Sequence, residues 1–186
     1  MSKTLIKTLT AEPSAYLEFV DGSDDVVFDS TYPVYEFHYV SMHPASAGDF
    51  VFQVNSTNDA GGAYDTSKIT STFSRAEHTE GGSSPSFLYS DGNDLADEAD
   101  WCKLLHNIDD ENYDNCSGIL TIYDPSSTTY IKHFLARTSA THHSAEYTMD
   151  SYVGGYINDL YAIDEIRFKF ASGNMDSGTI KMFGVS

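Results

Sequence analysis

The sequence predicts an all-β fold, an antiparallel two-sheet sandwich of jelly-roll type with at most one short helix. Three observations predict it. Short alternating runs rich in Tyr, Phe, Val, Ile and Thr recur between clusters of Gly, Ser, Asp, Asn and Pro. Helical periodicity is scarce. Apart from one helix-like stretch in a long loop, no helix of about ten residues intervenes between neighbouring strand candidates to carry a parallel crossover, so antiparallel strands covering one another as two layers are the natural solution.

Taken along the chain, the strand candidates are Leu5 to Leu9, Tyr16 to Val20, Val34 to Met42, Phe50 to Asn55, Ile69 to Arg75, Ser86 to Tyr89, Ile119 to Tyr123, Tyr130 to Arg137 and Tyr147 to Tyr156. The clearest alternation runs from Ala162 to Ala171. There Ile166, Phe168 and Phe170 share one face and Glu165, Arg167 and Lys169 the other, so one face is core and the opposite one is wet. Gly178 to Val185 repeats the pattern with Ile180 and Met182 against Thr179 and Lys181. The turn-forming residues Ser172 to Gly178 lie between the two runs, and the pair is expected to form a C-terminal hairpin. One stretch reads as helix: Leu95, Ala99, Cys102 and Leu105 fall on one face of Leu95 to Leu105, with Asn93 or Asp94 as N-cap.

The 186 residues and 20.5 kDa fit one domain, and a chain of this size buries about 70% of its unfolded surface. The glycine and serine clusters at Asn58 to Ala63 and Thr79 to Pro85 do not separate compositionally distinct halves. The expected organisation is an N-terminal arm or first strand over residues 1–13 and a single β-sandwich over 14–186. No repeat and no heptad run is present. No segment reaches the roughly 20 apolar residues of a membrane span, and Met1 to Thr10 lacks an apolar leader core. Synthesis in a cytoplasm without a membrane anchor is therefore expected.

Ten basic residues against 28 acidic ones give a net charge of −18. Such a balance argues against partners that present phosphates, so nucleic acid and anionic membranes are excluded as expected partners. The acids concentrate from Glu80 to Asp124, where eleven face the single base Lys103; loops of this kind keep particles apart in solution. By contrast, the first 13 residues hold Lys3 and Lys7 against only Glu12. Leu5, Ile6 and Leu9 there are available to bury against a partner or to extend a sheet edge. Lys3, Leu5, Ile6, Lys7 and Leu9 are thus the candidate partner-binding residues.

Other chemistry finds little support. Asp110-x-Asn112-x-Asp114 is the best calcium-like spacing, but an EF-hand needs glycine where this chain has Asn115 and a bidentate Glu where it has Thr121. Of seven histidines only His142 and His143 are adjacent, and neighbours on a strand point to opposite faces. Cys102 and Cys116 form neither a disulfide framework nor a metal-knuckle spacing. No Gly-x-Ser-x-Gly elbow and no phosphate-cradling Gly-x-x-x-x-Gly-Lys-Ser/Thr loop occurs. No catalytic residue, cofactor or metal is expected. Tyrosines offer a further possibility: Tyr152, Tyr156 and Tyr161 cluster around Gly154-Gly155 as a candidate glycan platform.

Four segments carry a family resemblance. They are Asp29-Ser30-Thr31-Tyr32 before an aromatic strand; Val40 to Ala45 followed by Gly48 to Asn55; Pro125 to Phe134; and the ending from Ile163 to Val185. Together they resemble small structural proteins of marine tailed bacteriophages, over most of the chain from Asp29 onward. The resemblance implies a jelly-roll-like virion part of the capsid decoration, head fibre or tail fibre type, and it brings no catalytic motif. A compact acidic domain without a shaft suits a non-enzymatic decoration, or cement, protein. Such a protein is expected to be a homo-oligomer that binds the major capsid protein, or another virion protein, and stabilises the head. The alternative expectation is a tail or head fibre module that binds a host-surface glycan.

Overall fold

Alternation of apolar and polar residues is translated into strands almost wherever it occurs. The computed structural model describes residues 2–58, 64, 67–83, 85–142 and 146–186. Gly61-Gly62, Ser84 and His143, singled out in the sequence, lie outside the described residues. Among the described residues there are thirteen strands: β1 (Lys3–Thr10), β2 (Leu17–Val20), β3 (Val34–Pro44), β4 (Gly48–Ser56), β5 (Ile69–Thr79), β6 (Ser86–Tyr89), β7 (Ala96–Glu98), β8 (Cys102–Ile108), β9 (Cys116–Tyr123), β10 (Lys132–His142), β11 (Tyr147–Ile157), β12 (Ile163–Phe170) and β13 (Met175–Val185). They form a four-stranded sheet in the order β2-β12-β4-β8. A nine-stranded sheet runs β1-β13-β3-β9-β10-β11-β5-β6, with β7 beside β5.

The pairing explains the fold. β1 lies against β13, β2 against β12, β3 against β9 and β4 against β8, all antiparallel. Successive strands of one half of the chain thus meet partners from the other half in reverse order while alternating between sheets, which is the wind of a jelly roll. Those eight strands carry the jelly-roll wind, but β8 of the small sheet packs across the core against the added strands β5, β10 and β11. Two inserted pieces, β5–β7 and the β10–β11 hairpin, continue the large sheet beyond β9.

Aromatic side chains fill the space between the sheets. Phe37 from the large sheet meets Phe19 and Phe168 from the small one, and Phe134 from the large sheet meets Phe52, with ring centroids 5.2–5.5 Å apart. As expected, Ile166, Phe168 and Phe170 on β12 and Ile180 and Met182 on β13 all point into this core.

Two sequence expectations are corrected. Leu95 to Leu105 holds no helix; it contains β7 and the first four residues of β8. Leu104 and Leu105 are both buried because the β4–β8 ladder shifts register there. A bulge that turns two consecutive leucines inward leaves apolar spacings that imitate a helix face. Nor do β12 and β13 form a hairpin. β12 belongs to the small sheet and β13 to the large one, so the Ala171-to-Asn174 connection crosses from one layer to the other, as the jelly-roll wind requires.

The two outer faces of the sandwich differ. On β4 of the small sheet, Val51, Gln53 and Asn55 alternate with the core residues and yet are buried. They are covered by chain: Gln53 Nε2 donates to the Asp100 carbonyl at 2.7 Å. Arg167 joins Glu18 at 2.5 Å and lies between the rings of Tyr16 and Tyr64. The outer face of the large sheet is open. Along β10 its residues His133, Leu135, Arg137, Ser139 and Thr141 are all exposed.

Candidate functional site

Two features of the large sheet stand out, its free edge at β1 and a groove across its outer face.

Among the described residues β1 pairs only with β13. Ala11 N–H donates to the Gly178 carbonyl, and Ser2 and Ser186 exchange backbone hydrogen bonds. Bonded and non-bonded pairs alternate along an antiparallel ladder, and a register shift lies between Leu5 and Lys7. Counting inward from both ends, Lys3, Leu5, Thr8 and Thr10 therefore turn their backbone N–H and C=O groups away from β13. Lysine side chains commonly guard such edges. Here both are drawn back onto the chain itself: Lys3 Nζ lies 2.6 Å from Glu36 Oε2, and Lys7 Nζ donates to the Asp24 carbonyl at 2.8 Å.

The five candidate partner-binding residues separate accordingly. Leu5 is 52% exposed, opposite Phe183 in the ladder. Ile6 and Leu9 pack against the core, and Lys7 stands with Leu9 beside the loop carrying Ser23, Asp24 and Val26. Lys3–Thr10 form a strand of the large sheet, paired with β13.

The groove has a volume of about 550 Å³ and lies chiefly on the inserted strands. Leu135 and Ile119 form its apolar walls, and Gly154 leaves its floor low opposite Leu135. A Cβ on Gly154 would come 3.1 Å from the Leu135 Cδ2 methyl. Thr72, Ser74 and Thr121 add hydroxyls, and the Lys3–Glu36 pair closes one end.

Tyr152 borders the groove because β11 alternates, with Met149, Ser151 and Val153 buried and Asp150, Tyr152 and Gly154 turned outward. Its ring is fixed from several sides. The Tyr152 hydroxyl donates to Asp150 Oδ2 at 2.9 Å, and the Arg137 guanidinium lies 5.0 Å from the ring centroid. Phe87 meets the ring edge-on at 6.1 Å. Arg137 grips Asp150 through Nε and Nη2, at 3.0 and 2.6 Å. This ion pair holds the Asp150 carboxyl below the usual carboxylate range, and the hydrogen bond to Asp150 raises the Tyr152 hydroxyl. Every charged group of the cluster is matched within it.

Of the other glycan-platform residues, Tyr156 shares the outer face with Tyr152 but stands beside His133, ring centroids 6.2 Å apart. Tyr161 lies in the loop before β12, where its N–H donates to Asp159 and its carbonyl accepts from Lys132. The structure does not bring the three tyrosines together. The calcium-like triplet differs in burial: Asp110 and Asn112 are exposed, whereas Asp114 is buried and accepts from the Thr141 hydroxyl at 2.9 Å. Among the described residues no group of three or more His, Cys, Asp or Glu is placed to hold a metal ion. Cys102 and Cys116 are buried free thiols, both raised by burial, Cys102 to about 12.

Leu135, Ile119, Arg137 and Asp150 were not among the sequence candidates. The available signal was indirect: Ile119 and Leu135 are apolar residues at outward parity of their strands, and Gly154 interrupts a strand where a ligand or backbone approaches closely.

These features define the class as an antiparallel β-sandwich with jelly-roll wind and an extended, open outer sheet. Comparison with protein-family models, curated proteins and solved structures finds no match.

Proposed function

We propose that this chain is a non-enzymatic structural protein of a virion, made in the host cytoplasm. It acts as a decoration protein that binds the major capsid protein and stabilises the head. The observation that carries the reading is the free edge of β1: eight residues of strand, four of which turn their backbone groups outward, the exposed Leu5, and both lysines withdrawn onto their own chain. A strand of the capsid protein added there gains backbone hydrogen bonds along its length. The rest of the surface, dominated by the acids of a −18 chain, keeps decorated particles dispersed. The alternative, a fibre module that holds a host-surface glycan, is favoured by a separate feature, the groove beside Tyr152.

Quantitative electrophoresis of purified virions tests the proposal. A decoration protein is expected in numbers that follow the lattice of the major capsid protein. A few copies per particle, matching a vertex or a tail, contradict it and favour the fibre.

A further inference from the structure

We infer that the groove beside Tyr152 binds a neutral oligosaccharide. The inserted strands β5, β10 and β11 supply Thr72, Leu135, Arg137, Tyr152 and Gly154 to it, and these strands lie outside the eight that carry the jelly-roll wind. The groove's volume of about 550 Å³ falls in the range of small-molecule sites, roughly 300–1,000 Å³.

The lining selects the ligand. A pyranose has an apolar C–H face and a rim of hydroxyls, and it needs a fixed aromatic ring with apolar and hydroxyl groups around it. Tyr152 is that ring, 38% exposed and held by Asp150, Arg137 and Phe87 before any ligand arrives. Leu135, 56% exposed, and Ile119 offer apolar contact. Thr72, Ser74, Thr121 and the remaining guanidinium N–H groups of Arg137 offer hydrogen bonds. The charges exclude other classes. Arg137 is paired with Asp150 and Lys3 with Glu36, so no unmatched charge calls for an ionic ligand, and a polyanionic chain meets the repulsion of a −18 protein.

The inference does not depend on how the chain attaches to a particle, since β1 supplies the edge and the inserted strands supply most of the groove. Isothermal titration of the full chain with maltotriose, cellotriose, laminaritriose, mannotriose and triacetylchitotriose tests it, with a heparin tetrasaccharide as the charged probe. At least one neutral trisaccharide is expected to bind saturably, with a Kd of roughly millimolar order as befits a shallow site. Tyr152→Ala should weaken that binding about tenfold or more. Gly154→Val should abolish it by raising the floor, with thermal unfolding close to wild type because the added Cβ meets only the exposed Leu135 methyl closer than 3.9 Å. Failure of every neutral probe, binding of the heparin fragment instead, or binding untouched by Gly154→Val would each overturn the inference.

Discussion

Phe168→Ala is expected to lower the free energy of unfolding by about 3–5 kcal/mol, the range for emptying a buried aromatic site. Phe168 is fully buried. Its ring contacts Phe19, Phe50 and Phe52 of its own sheet and Phe37 of the opposite sheet, with centroids 5.5–6.4 Å away. Its strand β12 is hydrogen-bonded on both sides, to β2 and β4, so the backbone cannot close over the space that the ring leaves. Collapse would have to come from rings already engaged with one another, and most of the cavity should persist. Equilibrium denaturation in urea measures the loss. A change near zero would mean that this face of β12 is not the centre of the core.

Gly155→Val is expected to cost about 3 kcal/mol or more, the upper end of overpacking effects. A Cβ at Gly155 would lie 2.3 Å from the Thr70 carbonyl oxygen and 2.8 Å from the Phe134 ring. The first neighbour is backbone in the β5–β11 ladder, and the second is a core ring packed on Phe52. Neither can withdraw without breaking pairing or packing. Because β11 joins β10 to β5, the damage should concentrate in the inserted strands, with hydrogen-exchange protection lost in β5, β6 and β11 before β3 and β13. The adjacent Gly154→Val provides the contrast, since its neighbour is a mobile side chain rather than backbone. Equal unfolding midpoints for the two variants would contradict the packing described here.

That contrast shows what a sequence conveys in a chain of this type. Strand positions and core faces were legible because burial of one sheet face imposes a period of two; Ile166, Phe168 and Phe170 are an example. The order of strands was not legible, because alternation is the same for a hairpin and for a crossing between layers. Ser172-Gly173-Asn174 has the composition of a tight turn and instead carries the chain from one sheet to the other. At Leu104-Leu105 a bulge broke the period and produced a helix-like pattern.

The groove was visible only in part. Tyr152 was prominent as an aromatic beside two glycines, whereas Leu135 and Ile119 join it through β9–β10–β11 pairing, which local sequence does not encode. For β1, the separation of Leu5 from Ile6, Lys7 and Leu9 follows from a register shift between Leu5 and Lys7, again a property of pairing and not of composition.

The most direct test of the proposed attachment is rebinding of purified protein to capsids that lack it, with β1 altered at one backbone position. Thr8 is exposed, and its N–H points away from β13. Thr8→Pro therefore removes an edge donor without removing a β1–β13 hydrogen bond, while Thr8→Val keeps the donor. Thr8→Val is expected to decorate capsids as the wild type does, and Thr8→Pro, folded and equally stable, to leave them bare. Full occupancy by Thr8→Pro would contradict attachment through this edge.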